Sequence, residues 1–303
     1  MDGGLIIDKP AGWTSHDVVA KIRRVLKMQR IGHAGTLDPF ATGLLILCLG
    51  KATRLTNLLA GSDKTYVGEM RFGFATDTYD IDGKPITEYQ QPHLTEDLLR
   101  QAFAKFTGPI SQRPPMFSAK KVEGKPLYKY ARKGIEVERG LKQVTIHSLI
   151  LHALKGEVAS FEVTCSTGTY VRALAHDIGE LLGCGAHLIS LSRTRSGPFG
   201  IEQTLKIKNQ EETMSDPEYY RRHLLSVADL LPEAPALTVS AATSAKILHG
   251  EHFALMDIRN KADLAPNVGA AALYRVFSES GELIAITERA GPLFHPKIVL
   301  NNE

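Results

Sequence analysis

The stretch Gly32–Leu45, GHAGTLDPFATGLL, decides how the chain is read. It joins three glycines and a histidine to an Asp-Pro pair, and it runs straight into the apolar segment LLILCLG (Leu44–Gly50). That segment reads as a buried strand, since seven residues pass without polar alternation. Asp38 stands just before it. Locally, Asp38 is a turn residue, because Asp-Pro pairs start turns and nearby glycines support them. The other reading is a carboxylate held at the mouth of a cleft. Only the remaining segments can decide between the two.

Working outward, Leu5–Ile7 is a short strand ended by the turn DKPAGWTS, and Thr14 or Ser15 caps a helix over HDVVAKIRRVLKM. Val18, Val19, Ile22, Val25 and Leu26 fall on one face of it. The opening motif itself reads as a loop. KATRLTNLLAGSD gives a short helix, KTYVGEMRFGFAT a strand and TDTYDIDGKPI a turn-rich hairpin region. Thr95 caps a helix to about Phe106, with Leu98, Leu99, Ala102, Phe103 and Phe106 as its apolar positions. The Pro-Pro pair and the lysines of ISQRPPMFSAKKVEGKPLYKYARKG mark an excursion from the core, with a turn or two of helix around Leu127–Lys133. Two strands follow in LKQVTIHSLILHAL and VASFEVTCS. GTYVRALAHDIGELLGCG is a helix stopped by Gly183 and Gly185, and HLISLSRTRSGPF is a strand. EETMSDPEYYRRHLL contains one more helix. A Pro-rich joint at Pro232–Pro235 then leads to short alternating segments with a hairpin turn at Ser280-Gly281.

The chain has 303 residues, enough for a large domain followed by a small one. No apolar run reaches the roughly 18 residues of a membrane span, and MDGGLIIDKPAGW has the wrong order of charge and apolar residues for a secretory signal. Cys48, Cys165 and Cys184 have no paired spacing and read as buried thiols of a reducing cytoplasm. The net charge of +3 says little, but its distribution says more. Arg100–Lys155 holds 12 Lys/Arg against 3 Glu and no Asp, whereas Gly61–Leu99 holds 3 basic against 8 acidic residues. A basic segment in a near-neutral chain is either a solvated face or a footprint for a polyanion.

Common catalytic signatures are absent: no G-x-S-x-G elbow, no phosphate-binding P-loop, no H-E-x-x-H and no C-x-x-C. Four segments in order carry a different signal. GHAGTLDPFATGLL, SDKTYVGEMRFGFATDTYDIDG, QRPPMFSAKKVEGKPLYKYARKG and CSTGTYVRALAHDIGELLGCGAHLISLSRTRSGPF together resemble the TruB-type tRNA pseudouridine synthases. Ala34, Phe40, Phe117 and Ser192 stand where that family more often has Thr, Leu, Tyr and Arg, and none of these changes removes a reactive group. The resemblance implies an α+β fold. Its main part is a mixed, largely antiparallel central sheet flanked by helices, with a cleft across its middle and a small β-rich, PUA-like C-terminal domain. It also implies conversion of the T-loop uridine at tRNA position 55 to pseudouridine, with no cofactor and no metal.

On the same resemblance, Asp38 is the nucleophile, attacking either the base or ribose C1′. Arg172 is the cation that pairs with it, and Tyr66 stacks on the target base and assists loss of the C5 proton. A carboxylate nucleophile must stay ionised and aimed, and an adjacent cation favours both. Tyr170 and Leu191 match positions lining the uracil pocket, because a flipped base needs flat apolar walls. Lys64 and Asp80 match positions near the cleft. His33 matches the histidine that fills the stack vacated by the flipped nucleotide. Lys120 and Lys121, with Arg113, Lys125, Lys129, Arg132, Lys133 and the interleaved Tyr128 and Tyr130, match the region that clasps the T stem-loop.

The domain division is expected as residues 1–234, catalytic, with an RNA-clasping insertion at about 112–134, and 235–303 as the PUA-like module. The expected partner is tRNA, with no membrane and no obligate protein partner, and the protein is expected as a cytoplasmic monomer. Two other readings stand beside this one. A non-catalytic RNA-binding or tRNA-folding protein would use the same basic surface but needs none of Asp38, Tyr66 and Arg172. A carboxylate-dependent hydrolase would need a second placed carboxylate such as Asp77 or Asp80 and leaves the basic segment unexplained.

Overall fold

The apolar run after Asp38 forms a strand, Thr42–Leu49, in which every residue from Gly43 onward is buried. Its odd-numbered leucines, Leu45, Leu47 and Leu49, enter one core, while Leu44, Ile46 and Cys48 enter another. A strand covered on both faces explains the unbroken apolar sequence. The computed structural model describes residues 1–118, 120–122, 124–207, 216–260 and 273–300; of the side chain of Lys121 nothing is described.

In chain order the elements up to the basic segment are β1 (Gly3–Lys9), α1 (Ser15–Leu26), β2 (Ile31–Ala34), β3 (Thr42–Leu49), α2 (Thr56–Ala60), β4 (Lys64–Phe72), α3 (Glu96–Phe106) and β5 (Gly108–Gln112). The segment itself holds β6 (Lys121–Val122), β7 (Lys125–Pro126) and α4 (Leu127–Ala131). Then come β8 (Lys142–Lys155), β9 (Val158–Cys165), α5 (Val171–Leu181), β10 (Ala186–Ser196), β11 (Phe199–Gly200), β12 (Leu205–Lys206) and α6 (Pro217–Arg222). The last part contains β13 (Ala236–Val239), α7 (Ala241–Leu248), β14 (Phe253–Ala254), β15 (Leu273–Ser278), β16 (Leu283–Ala290) and β17 (Leu293–Val299).

Among the described residues, ten strands make one mixed sheet in the order β12-β1-β3-β10-β4-β9-β8-β5, with β2 added to β3 and β11 to β10. Only β1–β12 and β3–β10 are parallel pairs, so the sheet is largely antiparallel, as expected. Helices α1, α3 and α5 cover one face through Val18, Ile22, Leu99, Phe103, Leu174 and Ile178. Thr14 caps α1 in a full capping box with Asp17, and Thr95 caps α3. The start of α3 strays from the expected pattern, since Leu98 is exposed.

One expectation is corrected. Gly32, His33 and Ala34 are not loop but part of β2, paired from Ile31 opposite Leu49 to Ala34 opposite Ile46. The segment is too short and too polar to show a period of its own. It is ordered by the apolar strand beside it, which is a long-range effect. Similarly, Ile110–Gln112 open the excursion as part of the edge strand β5, and Lys121–Pro126 form a small hairpin. Part of the segment EETMSDPEYYRRHLL, residues 211–215, lies outside the described residues; α6 accounts for the rest of the expected helix.

A second, five-stranded sheet, β13-β15-β16-β17-β14, follows the Pro-rich joint. Its own core is Leu237, Val239, Tyr274, Val276, Ile284 and Phe294, but Ile286 packs with Ile6, Leu44 and Ile46. The second sheet therefore lies on the face of the first that α1, α3 and α5 leave uncovered. Arg275 ties the joint down, donating to the carbonyls of Ala234 (2.8 Å) and Ala228 (3.2 Å).

Gly43 is where β3 meets β10. It has φ +95°, and a Cβ there would stand 2.4 Å from the carbonyl oxygen of Arg193, a backbone atom that cannot swing aside. Gly43 of the opening motif thus makes room for protein backbone. Gly43→Ala is expected to lower stability by roughly 2–4 kcal/mol through strain and forced strand separation. Urea unfolding with a midpoint at the parental value would contradict this packing.

Candidate active site

Asp38 lies in the connection between β2 and β3, and both of its neighbours are pinned. Ser15 Oγ, at the start of α1, accepts from Leu37 N (2.9 Å) and donates to Leu37 O (3.2 Å). On the other side, Pro39 O accepts from Gly12 N (2.8 Å) and from Lys9 Nζ (3.2 Å). Lys9 is fully buried and also donates to the carbonyls of Trp13 (2.6 Å) and Pro10 (2.9 Å). Burial pushes its ammonium down to about 8, opposed by the charge of Asp38. The carboxylate is thereby held on a short, fixed span with about a third of its surface open.

Arg172 occupies the first turn of α5, where no acidic residue stands and where the helix dipole disfavours a cation. Two carboxylates offset that. Arg172 Nη2 donates to Asp38 Oδ1 (3.0 Å), and its Nε stands 2.8 Å from Asp38 Oδ2. Its Nη1 lies 3.1 Å from Asp80 Oδ2 and donates to Thr78 O (2.8 Å), while Nη2 also donates to Phe117 O (2.8 Å). The guanidinium is 4% exposed. It therefore links the nucleophile candidate, the 76–84 turn and the root of the basic excursion.

A cleft of about 270 Å³ opens beside this pair, near the lower end of small-ligand sites and suited to one nucleoside. Asp38, Arg172, Tyr66, Tyr170, Leu191 and Lys64 all line it. Tyr66 and Leu191 share a wall because β4 and β10 are paired, with Gly68 opposite Leu191 and Tyr66 opposite Arg193. A Cβ on Gly68 would stand 2.6 Å from Ser190 O and 3.2 Å from Leu191 Cδ1, so the glycine admits the β10 backbone and with it the Leu191 side chain. Two irregularities in the β4–β10 pairing flank these residues, a usual device for re-aiming side chains. Tyr170 is set by Gln112, a buried amide that accepts from Tyr170 N (3.1 Å) and donates to Tyr170 O (3.3 Å).

Lys64 Nζ donates to the carbonyls of Ala60 and Ser62, and burial, then the charge of Arg193, lowers it to about 8. Burial raises the Tyr66 phenol above its ordinary range, and Arg193 opposes the rise. Asp80 lies on the far side of Arg172 and does not line the cleft; burial raises its carboxyl, against Thr78, which donates to Oδ1 (2.5 Å), and Arg172. His33 stands on β2 opposite Leu47, outside the cleft lining, with its imidazole lowered by burial and by Arg193. Lys120 precedes the small hairpin, its carbonyl accepting from Leu127 N (2.8 Å), and Lys121 belongs to β6.

Sequence reading missed three residues here: Ser15, Lys9 and Arg193. Arg193 is 1% exposed, lines the cleft, and donates to Leu44 O (2.7 Å) and Gly35 O (3.1 Å). A lysine ending a strand and an arginine in RTRSG carry no local mark of burial. What reveals them is the set of carbonyls around each: for Lys9 two from the following turn and one from distant Pro39, for Arg193 both from segments distant in sequence.

Residues 23–171 match the TruB family pseudouridylate synthase N-terminal domain, and residues 172–231 match the tRNA pseudouridylate synthase B C-terminal domain. The Asp38–Arg172 pair joins the two matched segments. The chain is 42% identical over 301 residues to the tRNA pseudouridine synthase B of Solibacter usitatus, covering 99% of this chain and 100% of that one. It is 40% identical over 314 residues to the protein of the same name in Bacillus anthracis, covering 100% and 99%. Among solved structures, a chain from a Cbf5-Nop10-Gar1 complex superposes with a TM-score of 0.74 at 28% identity, covering 99% of this chain and 85% of that one. A chain of an H/ACA RNP bound to a substrate RNA containing 2'-deoxyuridine gives 0.72 at 26%, with the same coverage. The chain belongs to the TruB family of pseudouridylate synthases.

Proposed function

We propose that the protein isomerises uridine to pseudouridine in tRNA, at position 55 of the T-loop, with Asp38 as nucleophile. The observation that carries this reading is the pinned, one-third-open carboxylate of Asp38 held by buried Arg172 at a nucleoside-sized cleft. The uridine leaves its stack and enters the cleft against the wall that Tyr66 and Leu191 share, with Tyr170 also lining it. A carboxylate oxygen attacks the base or C1′, the N1–C1′ bond breaks, the base turns, C5 bonds to C1′, and the bond to the Asp38 oxygen breaks to return the free carboxylate. The C5 proton is lost and N1 gains one, so the product is an isomer and no water is consumed. Tyr66, paired opposite Arg193 and subject to its charge, takes part in that proton loss. Asp80 aligns Arg172 from behind, and His33 fills the gap in the RNA stack.

The basic excursion, about 112–134, receives the T stem-loop. Its root is tied to the site, since Phe117 O accepts from Arg172 and Ser118 lines the cleft. Residues 1–234 form the catalytic domain and 235–303 a PUA-like module against the tRNA, with the chain acting as a monomer. Tritium release from tRNA carrying 5-³H-uridine tests the activity, and no release by the parental protein would sink it. A non-catalytic binder would give tRNA affinity without release.

The electrostatic part has its own test. Neutralising Lys120 and Lys121 together as glutamines is expected to reduce the slope of log affinity against log salt by about 1–2. Filter binding over a salt series measures it, and an unchanged slope would place the main phosphate contacts elsewhere.

A further inference from the structure

Tyr79 is a non-glycine residue with φ +64°, a conformation that bulky side chains rarely adopt. Such outliers persist where surrounding contacts over-determine them, and they cluster at functional sites. Here the contacts are specific. The Tyr79 ring stacks on His176, with centroids 3.9 Å apart and planes 9° from parallel. Tyr79 N donates to Thr76 O (3.1 Å), and Tyr79 O accepts from Leu188 N (3.1 Å) on β10.

Both neighbours of Tyr79 hold the same nitrogen of Arg172. Thr78 supplies its carbonyl and Asp80 its carboxylate, each to Nη1. The left-handed turn at Tyr79 lets these two groups converge. His176 follows Arg172 by four residues, one turn along α5, and so stands on the same side of the helix. Its Nδ1 is buried without a hydrogen-bond partner among the described residues, while its face is stacked on Tyr79.

We infer that the Tyr79–His176 stack is a positioning device that locks the 76–84 turn to α5 and so fixes the Arg172 guanidinium that aims Asp38. The inference rests on the functional reading above for its kinetic test, and on geometry alone for a second one. Neither ring is among the residues that line the cleft. Both act through Arg172.

The test compares His176→Ala and Tyr79→Gly with His176→Phe and Tyr79→Phe. The glycine variant relieves the backbone but removes the ring; the phenylalanine variants keep a stack. Single-turnover tritium release is expected to fall about 10–100-fold in His176→Ala and Tyr79→Gly, the scale of a small misplacement at a reacting centre. Affinity for tRNA is expected to stay within about twofold, and the phenylalanine variants to recover to within about threefold of the parent. Parental rates in both ring-deleted variants would overturn the inference, as would a loss explained by weaker tRNA binding. The second measurement is solvent exchange of the Arg172 Nε proton by NMR in the full chain without RNA. Exchange faster by about tenfold or more in His176→Ala, but not in His176→Phe, is expected if the stack holds the guanidinium. Unchanged exchange would overturn the inference even if the parent released no tritium, an outcome that would separately end the functional reading.

Discussion

Asp38→Asn is expected to lower tritium release by about 10⁴-fold or more, because the reaction loses its nucleophile. The fold and the affinity for tRNA should stay close to the parent's. The change is isosteric, and Leu37 and Pro39 remain pinned through Ser15, Gly12 and Lys9. The amide oxygen can still accept from Arg172 Nη2, while the amide nitrogen now faces Nε, donor against donor. Arg172 keeps Asp80 and two carbonyls, so the local charge remains compensated. Asp38→Glu preserves the carboxylate but moves it by one methylene, and a shift of about that size is expected to cost about 10²-fold. Release by Asp38→Asn within tenfold of the parent would remove Asp38 from the chemistry. Lost tRNA binding would instead make it a structural residue.

How far the site could be read from sequence depends on which physical signal each residue leaves. The central strand was legible because burial on both faces writes an unbroken apolar run, and Leu44–Leu49 is one. The helices α1, α3 and α5 were legible from caps and periodicity. Asp38 was not legible by itself, since an Asp-Pro in a glycine-rich stretch is a turn in most settings. The ordered set of segments raised it, and the structure then placed Arg172, Tyr66, Tyr170, Leu191 and Lys64 around the same cleft. Arg193 stayed hidden because a buried cation is announced by its acceptors, and its own, Leu44 O and Gly35 O, arrive by tertiary approach; Lys9 stayed hidden because its local acceptors, Pro10 O and Trp13 O, sit in a turn that only the contact with Pro39 closes over it. β2 stayed hidden for a related reason, since its partner makes it a strand. Asp80 was legible as a residue near the cleft but not as the second carboxylate on Arg172, because nothing in DTYDIDG specifies the left-handed turn at Tyr79.

Arg172→Met is expected to remove activity and also to destabilise the fold, with a pH dependence that identifies the cause. Removing one partner of a buried ion pair costs about 3–5 kcal/mol when the other charge is left without compensation. The lower end, about 3 kcal/mol, applies here, because Asp38 is a third exposed and water takes over part of its solvation. Asp80 is the costly partner, at 6% exposure. Burial already raises its carboxyl, and Asp38's charge adds to that; Thr78 and Arg172 oppose it. Without Arg172 the folded-state carboxyl rises further above its unfolded value. The folded protein then binds a proton that the unfolded chain has released, so stability falls as pH rises through that window. The stability gap between parent and variant is therefore expected to be small near the ordinary aspartate range. It grows with pH and levels off above the raised value. Urea unfolding at about pH 4.5 and pH 7.5 measures it, and a gap independent of pH would mean that lost packing of the arginine stem dominates. Adding Asp80→Asn to Arg172→Met should recover stability at neutral pH, since it removes the uncompensated buried charge. It should not recover isomerisation, because Asp38 would still lack the fork that aims it. Arg172→Lys separates charge from shape. One ammonium cannot meet two carboxylates and two carbonyls in the directions that the planar guanidinium serves, so the charge is kept and the aim is lost. Its stability should lie between parent and Arg172→Met, while its turnover stays at least about 10²-fold down, the scale set by misplacement of a reacting group.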